Sequence, residues 1–203
     1  MKDGNADNIE SIVIHAYEPA FGIIGDPAKK DPKTRQSADH SMAFIIASTL
    51  RKALENHSKL KGSKPIEEFW KKAMLVPDDY SSAGLKNPVT RTLMQKIEFK
   101  HGGPEYDSKY PEGIPTSVQI KTKDGKLHDS GFVMFPPGHA KCVDTDSFSI
   151  LKEKHTALGE LALNKAGVKK LIGDLQGLEK LSNQQLAKVY ESKIRFAEKS
   201  VDD

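Results

Sequence analysis

The 203 residues carry 31 basic and 28 acidic side chains, interspersed to a net charge of +3; the length suits one domain or two small ones, and the charge balance argues against a nucleic-acid partner. A single cysteine, Cys142, excludes an internal disulfide and is compatible with a reducing compartment. No apolar run approaches the roughly 20 residues a membrane helix needs, and the polar start MKDGNADNIES has the pattern of neither a secretory nor a transit peptide.

Ile9–Tyr17, IESIVIHAY, reads as a strand. Apolar residues fall on both of its alternating faces, so it is expected to be central in its sheet or covered on both sides. Pro19, Gly22, Gly25, Pro27 and Pro32 make the next stretch a long loop. It leads into Asp31–Leu54, DPKTRQSADHSMAFIIASTLRKAL, a polar loop opening an amphipathic helix. Met42, Ile45, Ile46, Leu50, Ala53 and Leu54 recur at helical spacing and predict the buried face. Thr34 or Ser37 can cap its start, because either hydroxyl accepts from an orphan backbone N–H. Asp39, His40 and Ser41 crowd that start, and Lys29, Lys30, Lys33 and Arg35 approach it from the loop. Two readings stand side by side: a capped helix with a solvated basic loop, or a place to hold an anionic small molecule.

HSKLKGSK, residues 57–64, reads as a flexible connector. Pro65 suits the first position of a second helix, with Ser63 or Lys64 before it. Ile66, Phe69, Trp70, Ala73 and Met74 are its expected buried stripe, with Glu67 and Glu68 at its positive end. Pro77, Asp78 and Asp79 close that segment. Asn87 and Pro88 start a short third helix running into a strand at KIEFK. After a Gly/Pro/Tyr-rich loop, Val118, Ile120 and Thr122 share one strand face. Asp124-Gly125 predicts a type I′ hairpin with positive φ at both residues, and the return strand is expected over Leu127–Phe135. MFPPGHA then stops it. Strand, helices, strand and hairpin make an α+β fold, a mostly antiparallel sheet with helices packed on it.

From Asp144 the composition turns helical. Helices are expected at Ser147–Asn164, Val168–Lys180 and Asn183–Lys199, with Gly167 as a C-cap and Ser182 and Gln185 as a capping box. Their apolar stripes either close over the sheet or form one wall of a larger helical domain.

No metal-ligand spacing, phosphate-cradling glycine loop or Gly-x-Ser-x-Gly elbow occurs. Cys142 follows His139 and Lys141, which could lower its pKa, but a packed thiol is the commoner outcome. Of the histidines, only His40, at a helix start, and His139, at a strand end, sit where element termini carry function.

The segment DPKTRQSADHSMAFIIA resembles the MmgE/PrpD family, whose best-known member is 2-methylcitrate dehydratase. NPVTRTLMQKIEF, YPEGIPTSVQIKTKDGK and MFPPGHA resemble further family segments, in unbroken order over roughly residues 8–200. Family members join a large helical domain to a smaller α+β lid, after which the chain returns to the helical domain. The resemblance implies that residues 1–143 are lid-like and 144–203 are the returning helices. It implies a carbon–oxygen lyase reaction, loss of water from a tricarboxylate such as 2-methylcitrate in propionate breakdown, with no metal and no cofactor.

Such chemistry needs a base, an acid and cations for the spectator carboxylates. The family's catalytic histidines lie upstream of these segments, so no catalytic residue is assigned in this chain, and alone it is expected to be inactive. Substrate-binding expectations fall on Arg35, Asp39, His40, Ser41, Phe44 and His139. Phe44 stands where several members carry tyrosine, so a phenolic hydroxyl is missing there. The implied partners are a tricarboxylate and the family's helical domain, in a homodimer when complete, in the cytoplasm or, in a eukaryote, the mitochondrial matrix. Within the family a cis-aconitate decarboxylase or an epimerase shares this lid. A non-catalytic subunit docking on a separately encoded helical half is the alternative of another class.

Overall fold

The computed structural model describes residues 5–60, 62, 66–191 and 193–196. The elements in chain order are β1 (Ile9–Ala16), α1 (Arg35–Asp39), α2 (Met42–Glu55), α3 (His57–Leu60), α4 (Ile66–Ala73), α5 (Ser82–Leu85), α6 (Pro88–Gln95), β2 (Ile97–His101), α7 (Pro104–Asp107), β3 (Thr116–Thr122), β4 (Leu127–Asp129), α8 (Ser147–Gly159), α9 (Lys165–Gln176) and α10 (Asn183–Ala187). The fold is α+β. One mixed sheet has the order β2-β1-β3-β4; β1 and β2 run parallel, while β1–β3 and β3–β4 are antiparallel.

β1 is central, as its two apolar faces imply, but only one face is covered. Ile12 and Ile14 lie opposite Ile120 and Val118 on β3, under α2 and α6. Ser11, Val13 and His15 point the other way and are half-exposed. A bulge between Ile9 and Ser11 shifts the register by one residue. It returns Ile9 to the covered face, where it is fully buried against the core, and leaves Glu10 exposed.

The helix expected as one unit is two. Thr34 caps α1 by accepting from Ser37 N at 3.1 Å. At His40 the helix stops, and Ser41 restarts it in extended conformation as the cap of α2. Ser41 Oγ donates to Lys29 O at 2.6 Å and accepts from Phe44 N at 3.2 Å. That side chain offers the backbone an alternative to continuing the helix, which is why the break falls there. The buried face of α2 is also rotated from the expected one, with Ile45 and Ala53 only half-buried. Ala43, Phe44, Ala47, Ser48 and Leu54 are buried, and Met42, Ile46 and Leu50 pack around them.

Part of the connector at 57–64 is ordered as α3; Lys61, Ser63, Lys64 and the expected first-turn Pro65 lie outside the described residues. On α4 the burial is rotated from the expected stripe. Ile66 is exposed, whereas Glu67 is buried and its Oε1 accepts from Asp146 N at the start of α8. The carboxylate is drawn inward because it satisfies a backbone donor that would otherwise be orphaned there.

The hairpin turn has three residues rather than two. Gly125 N donates to Thr122 O and Thr122 N to Lys126 O, each at 2.9 Å. Only Gly125 has positive φ, +82°, so the turn is not type I′. Asp124 Oδ1 accepts from the Thr122 hydroxyl at 2.5 Å, which holds Asp124 in an ordinary conformation. The return strand ends at Asp129, short of Phe135. Asp129 Oδ1 accepts from Gly131 N at 2.8 Å, Gly131 takes φ +66°, and pairing resumes only at a Thr116–Val133 bridge.

The C-terminal helices are shorter than expected. Gly167 is not a C-cap; it lies in the first turn of α9, where Asn164 Oδ1 accepts from its N–H at 2.8 Å. The Ser182–Gln185 capping box is present. The last helix ends at Ala187, and Arg195 N donates to Ala162 O at 2.7 Å as the chain turns back. The remainder of the expected helix, Ala197–Lys199, lies outside the described residues. α8 lies against α9 and α4. Among the described residues no helix is long and apolar enough to cross a membrane.

Candidate functional site

The site is built from two chain segments that meet beside α2. The first is the loop Asp31–Thr34 with the start of α1. The second runs from the turn Pro77–Tyr80 through α5 to Arg91 on α6. Between them lies an open cleft of about 780 Å³, with Arg35, Gln36, Tyr80, Ser82, Lys86 and Arg91 on its walls.

Arg91 assembles the cleft. Its guanidinium donates to Leu85 O at 2.6 Å, Asp31 Oδ1 at 2.7 Å and Pro32 O at 2.8 Å. One planar fork thus ties the loop to α5 and α6, a task suited to arginine and not to a point-charge lysine. Lys33 Nζ pairs with Asp31 Oδ2 at 2.6 Å. The Lys33 hydrogen bond, with the charges of Lys33 and Arg91, holds the Asp31 carboxyl below the usual range.

The other two cations differ. Among the described residues, Arg35 and Lys86 have no ion-pair partner, and both are exposed at the cleft. Such cations are available to a ligand because nothing in the chain neutralises them.

The second wall is rigid. Asp79 accepts from Val76 N at 2.8 Å, from Lys52 Nζ at 2.7 Å and from Arg51 Nη2 at 3.0 Å. Asp79 and Arg51 are 11% and 12% exposed, so this cluster nails the turn to α2 in a largely dry place. Gly84 allows α5 to close on the turn, since a Cβ there would stand 2.2 Å from Asp79 O. Tyr80, half-buried, lays its ring against Phe44.

Of the six expected site residues, only Arg35 lines this cleft. Asp39 and His40 are exposed just beyond α1, with His40 Nδ1 2.5 Å from Asp39 Oδ1 and 2.9 Å from Gln36 O. The Gln36 carbonyl first, then Asp39, hold the imidazole pKa above its ordinary value. Ser41 and Phe44 are fully buried. Both Ser41 bonds serve the chain itself, so the start of α2 is closed to a ligand. Phe44 reaches the cleft only through its contact with Tyr80.

His139 is elsewhere. It follows Gly138 at φ +91°, accepts from Lys141 N at 3.1 Å and stacks on Phe135 with centroids 4.9 Å apart. Cys142 Sγ lies 3.4 Å from Thr145 Oγ1. Among the described residues no group of three or more His, Cys, Asp or Glu side chains is placed to hold a metal ion.

Tyr80, Lys86 and Arg91 were not singled out as site residues by the sequence pattern. One signal for Tyr80 was available: Pro77 followed by Asp79 is a proline-led, acid-capped turn, which marks ordered backbone rather than loose loop.

The fold thus defines an α+β layer with one covered sheet face and a cation-bearing cleft at the edge of its central helix. Residues 1–72 match the family model of the MmgE/PrpD C-terminal domain. The match takes in β1, α1, α2 and the residues Arg35, Asp39, His40, Ser41 and Phe44; it ends before Tyr80, Lys86 and Arg91. No curated protein matches the chain.

Proposed function

We propose that this chain is the C-terminal portion of a carbon–oxygen lyase of the 2-methylcitrate dehydratase kind, whose cleft grips carboxylates of a multiply charged acid. The observation carrying this reading is the pair of unpartnered cations, Arg35 and Lys86, on opposite walls of one cleft. Cations carried on separate segments suit a ligand with more than one carboxylate, because each can make its own charge-assisted hydrogen bond. The family match over the segment holding Arg35 supports the same reading. The proton-moving groups are assigned to the family's helical domain.

Calorimetric titration of the full chain with citrate and 2-methylcitrate tests it. Binding is expected, weakened at least about tenfold in an Arg35→Ala, Lys86→Ala double variant, as loss of charged hydrogen bonds predicts. Equal affinity in the double variant, or no binding by the parent chain, overturns the reading.

A second reading, a non-catalytic subunit that docks on a separately encoded helical half, is favoured by the last three helices. α8 and α10 bury no side chain, and Phe148 and Tyr190 are 80% and 78% exposed. Apolar surface of this kind marks a face for a partner. Co-expression with a family helical domain distinguishes the two: a stable complex lacking lyase activity supports this second reading, and an active one supports the first.

A further inference from the structure

Tyr80 is the least explained group at the cleft. Its ring has a clear reason to be there, packed on Phe44 with centroids 5.6 Å apart. Its hydroxyl has none: among the described residues it has no hydrogen-bond partner, although the side chain is half-buried. The ring is withdrawn but the hydroxyl still reaches water, so a ligand oxygen in the cleft can take that water's place. The backbone carrying it is also the most firmly held part of the wall, through Asp79, Arg51, Lys52 and the close approach at Gly84. An unpaired donor on a firmly held turn, lining the same cleft as Arg35 and Lys86, suits an acceptor-rich ligand.

The geometry points to Tyr80 as a ligand-contacting residue: its phenol donates to a carboxylate oxygen of the acid held by Arg35 and Lys86, an assignment that rests on the carboxylate-binding reading above. Donation requires the neutral phenol. Burial, together with the charges of Asp39 and Asp79, pushes the Tyr80 pKa above its ordinary value, so the proton stays on oxygen throughout the physiological range. A phenol fixed in this way discriminates: it rewards an acceptor oxygen at one point of the cleft, which the two flexible cations do not.

Tyr80→Phe isolates the hydroxyl, because the ring and its packing on Phe44 remain. With citrate as the probe and the full chain in the cell, the variant is expected to bind about tenfold more weakly at an unchanged melting temperature. A second readout does not depend on affinity. In the parent chain, saturating citrate is expected to move one tyrosine ionisation, followed by ultraviolet absorbance, to higher pH, because an anion beside a phenol disfavours phenolate; Tyr80→Phe lacks that step. If citrate binds the parent and the variant equally and no tyrosine responds, the assignment to Tyr80 is overturned while the carboxylate-binding reading stands. If the parent chain does not bind citrate, both fall together.

Discussion

Phe44 and Tyr80 meet ring to ring, 5.6 Å between centroids and tilted by 46°, across the boundary between the core and the cleft. Phe44 is completely buried on α2, and Tyr80 is the last residue of the turn that walls the cleft. Truncating Phe44 therefore acts on both. Phe44→Ala is expected to cost about 3–5 kcal/mol from lost burial and the cavity left behind. Chemical denaturation measures that loss. Tyrosine fluorescence is expected to report a more mobile Tyr80 under native conditions.

Asp79 sits between Arg51 and Lys52 with little access to water. Removing it leaves two cations facing each other without their common partner. Asp79→Ala is expected to destabilise the fold by about 3 kcal/mol, the cost typical of breaking a largely buried ion pair by removing one side. Arg51 keeps its bond to Glu55, so Glu55→Ala, at an exposed pair, is expected to change the denaturation midpoint far less.

His40 gives a pH signature with a definite sign. Its folded pKa is raised, chiefly by the Gln36 carbonyl and then by Asp39. A group whose pKa is higher folded than unfolded lends stability that is complete below the unfolded value and vanishes as pH rises through the folded one. The contribution is therefore present below the ordinary histidine range and is lost as pH rises through the raised folded value. Nuclear magnetic resonance titration of the ring should place His40 above an ordinary histidine. Asp39→Asn should lower that pKa partway, since the Gln36 carbonyl remains; an unchanged value would refute the geometry of the pair.

Gly84 is needed for close approach rather than for its backbone angles. An added methyl would press on the Asp79 carbonyl, which is backbone and cannot swing aside. Gly84→Ala is expected to cost about 1–3 kcal/mol, as overpacking does. It is also expected to widen the cleft at Tyr80, weakening citrate binding, whereas Gly173→Ala on α9, with open space around it, should leave both unchanged.

Local patterns in the sequence account for much of the fold. The alternation in Ile9–Ala16, the Asn87-Pro88 start of α6, the Ser182 capping box and the α+β class are all carried by neighbours within a few residues. The departures share one cause: a side chain that finds a partner outside the regular element, distant for Ser41 and Glu67 and local in the hairpin. Ser41 ends one helix and begins another because Lys29 O is there to receive its hydroxyl. Glu67 turns inward because Asp146 N lies above it. The hairpin has a third turn residue because Thr122 and Asp124 hydrogen-bond to each other.

What the sequence determined by itself is a resemblance to one family, carried by the run Asp31–Ala47 and matched by the family model over residues 1–72, and the presence of cations in the loop before the central helix. What only the tertiary structure decided is which cations line the cleft and which of them are free. Lys33 and Arg91 are consumed by Asp31 and by backbone carbonyls, whereas Arg35 and Lys86 are not. It also decided that Tyr80, 45 positions beyond Arg35, shares their cleft. Charge and capping are properties of short stretches and can be read along the chain. Neutralisation and exposure depend on what folding brings alongside, and no local pattern encodes that.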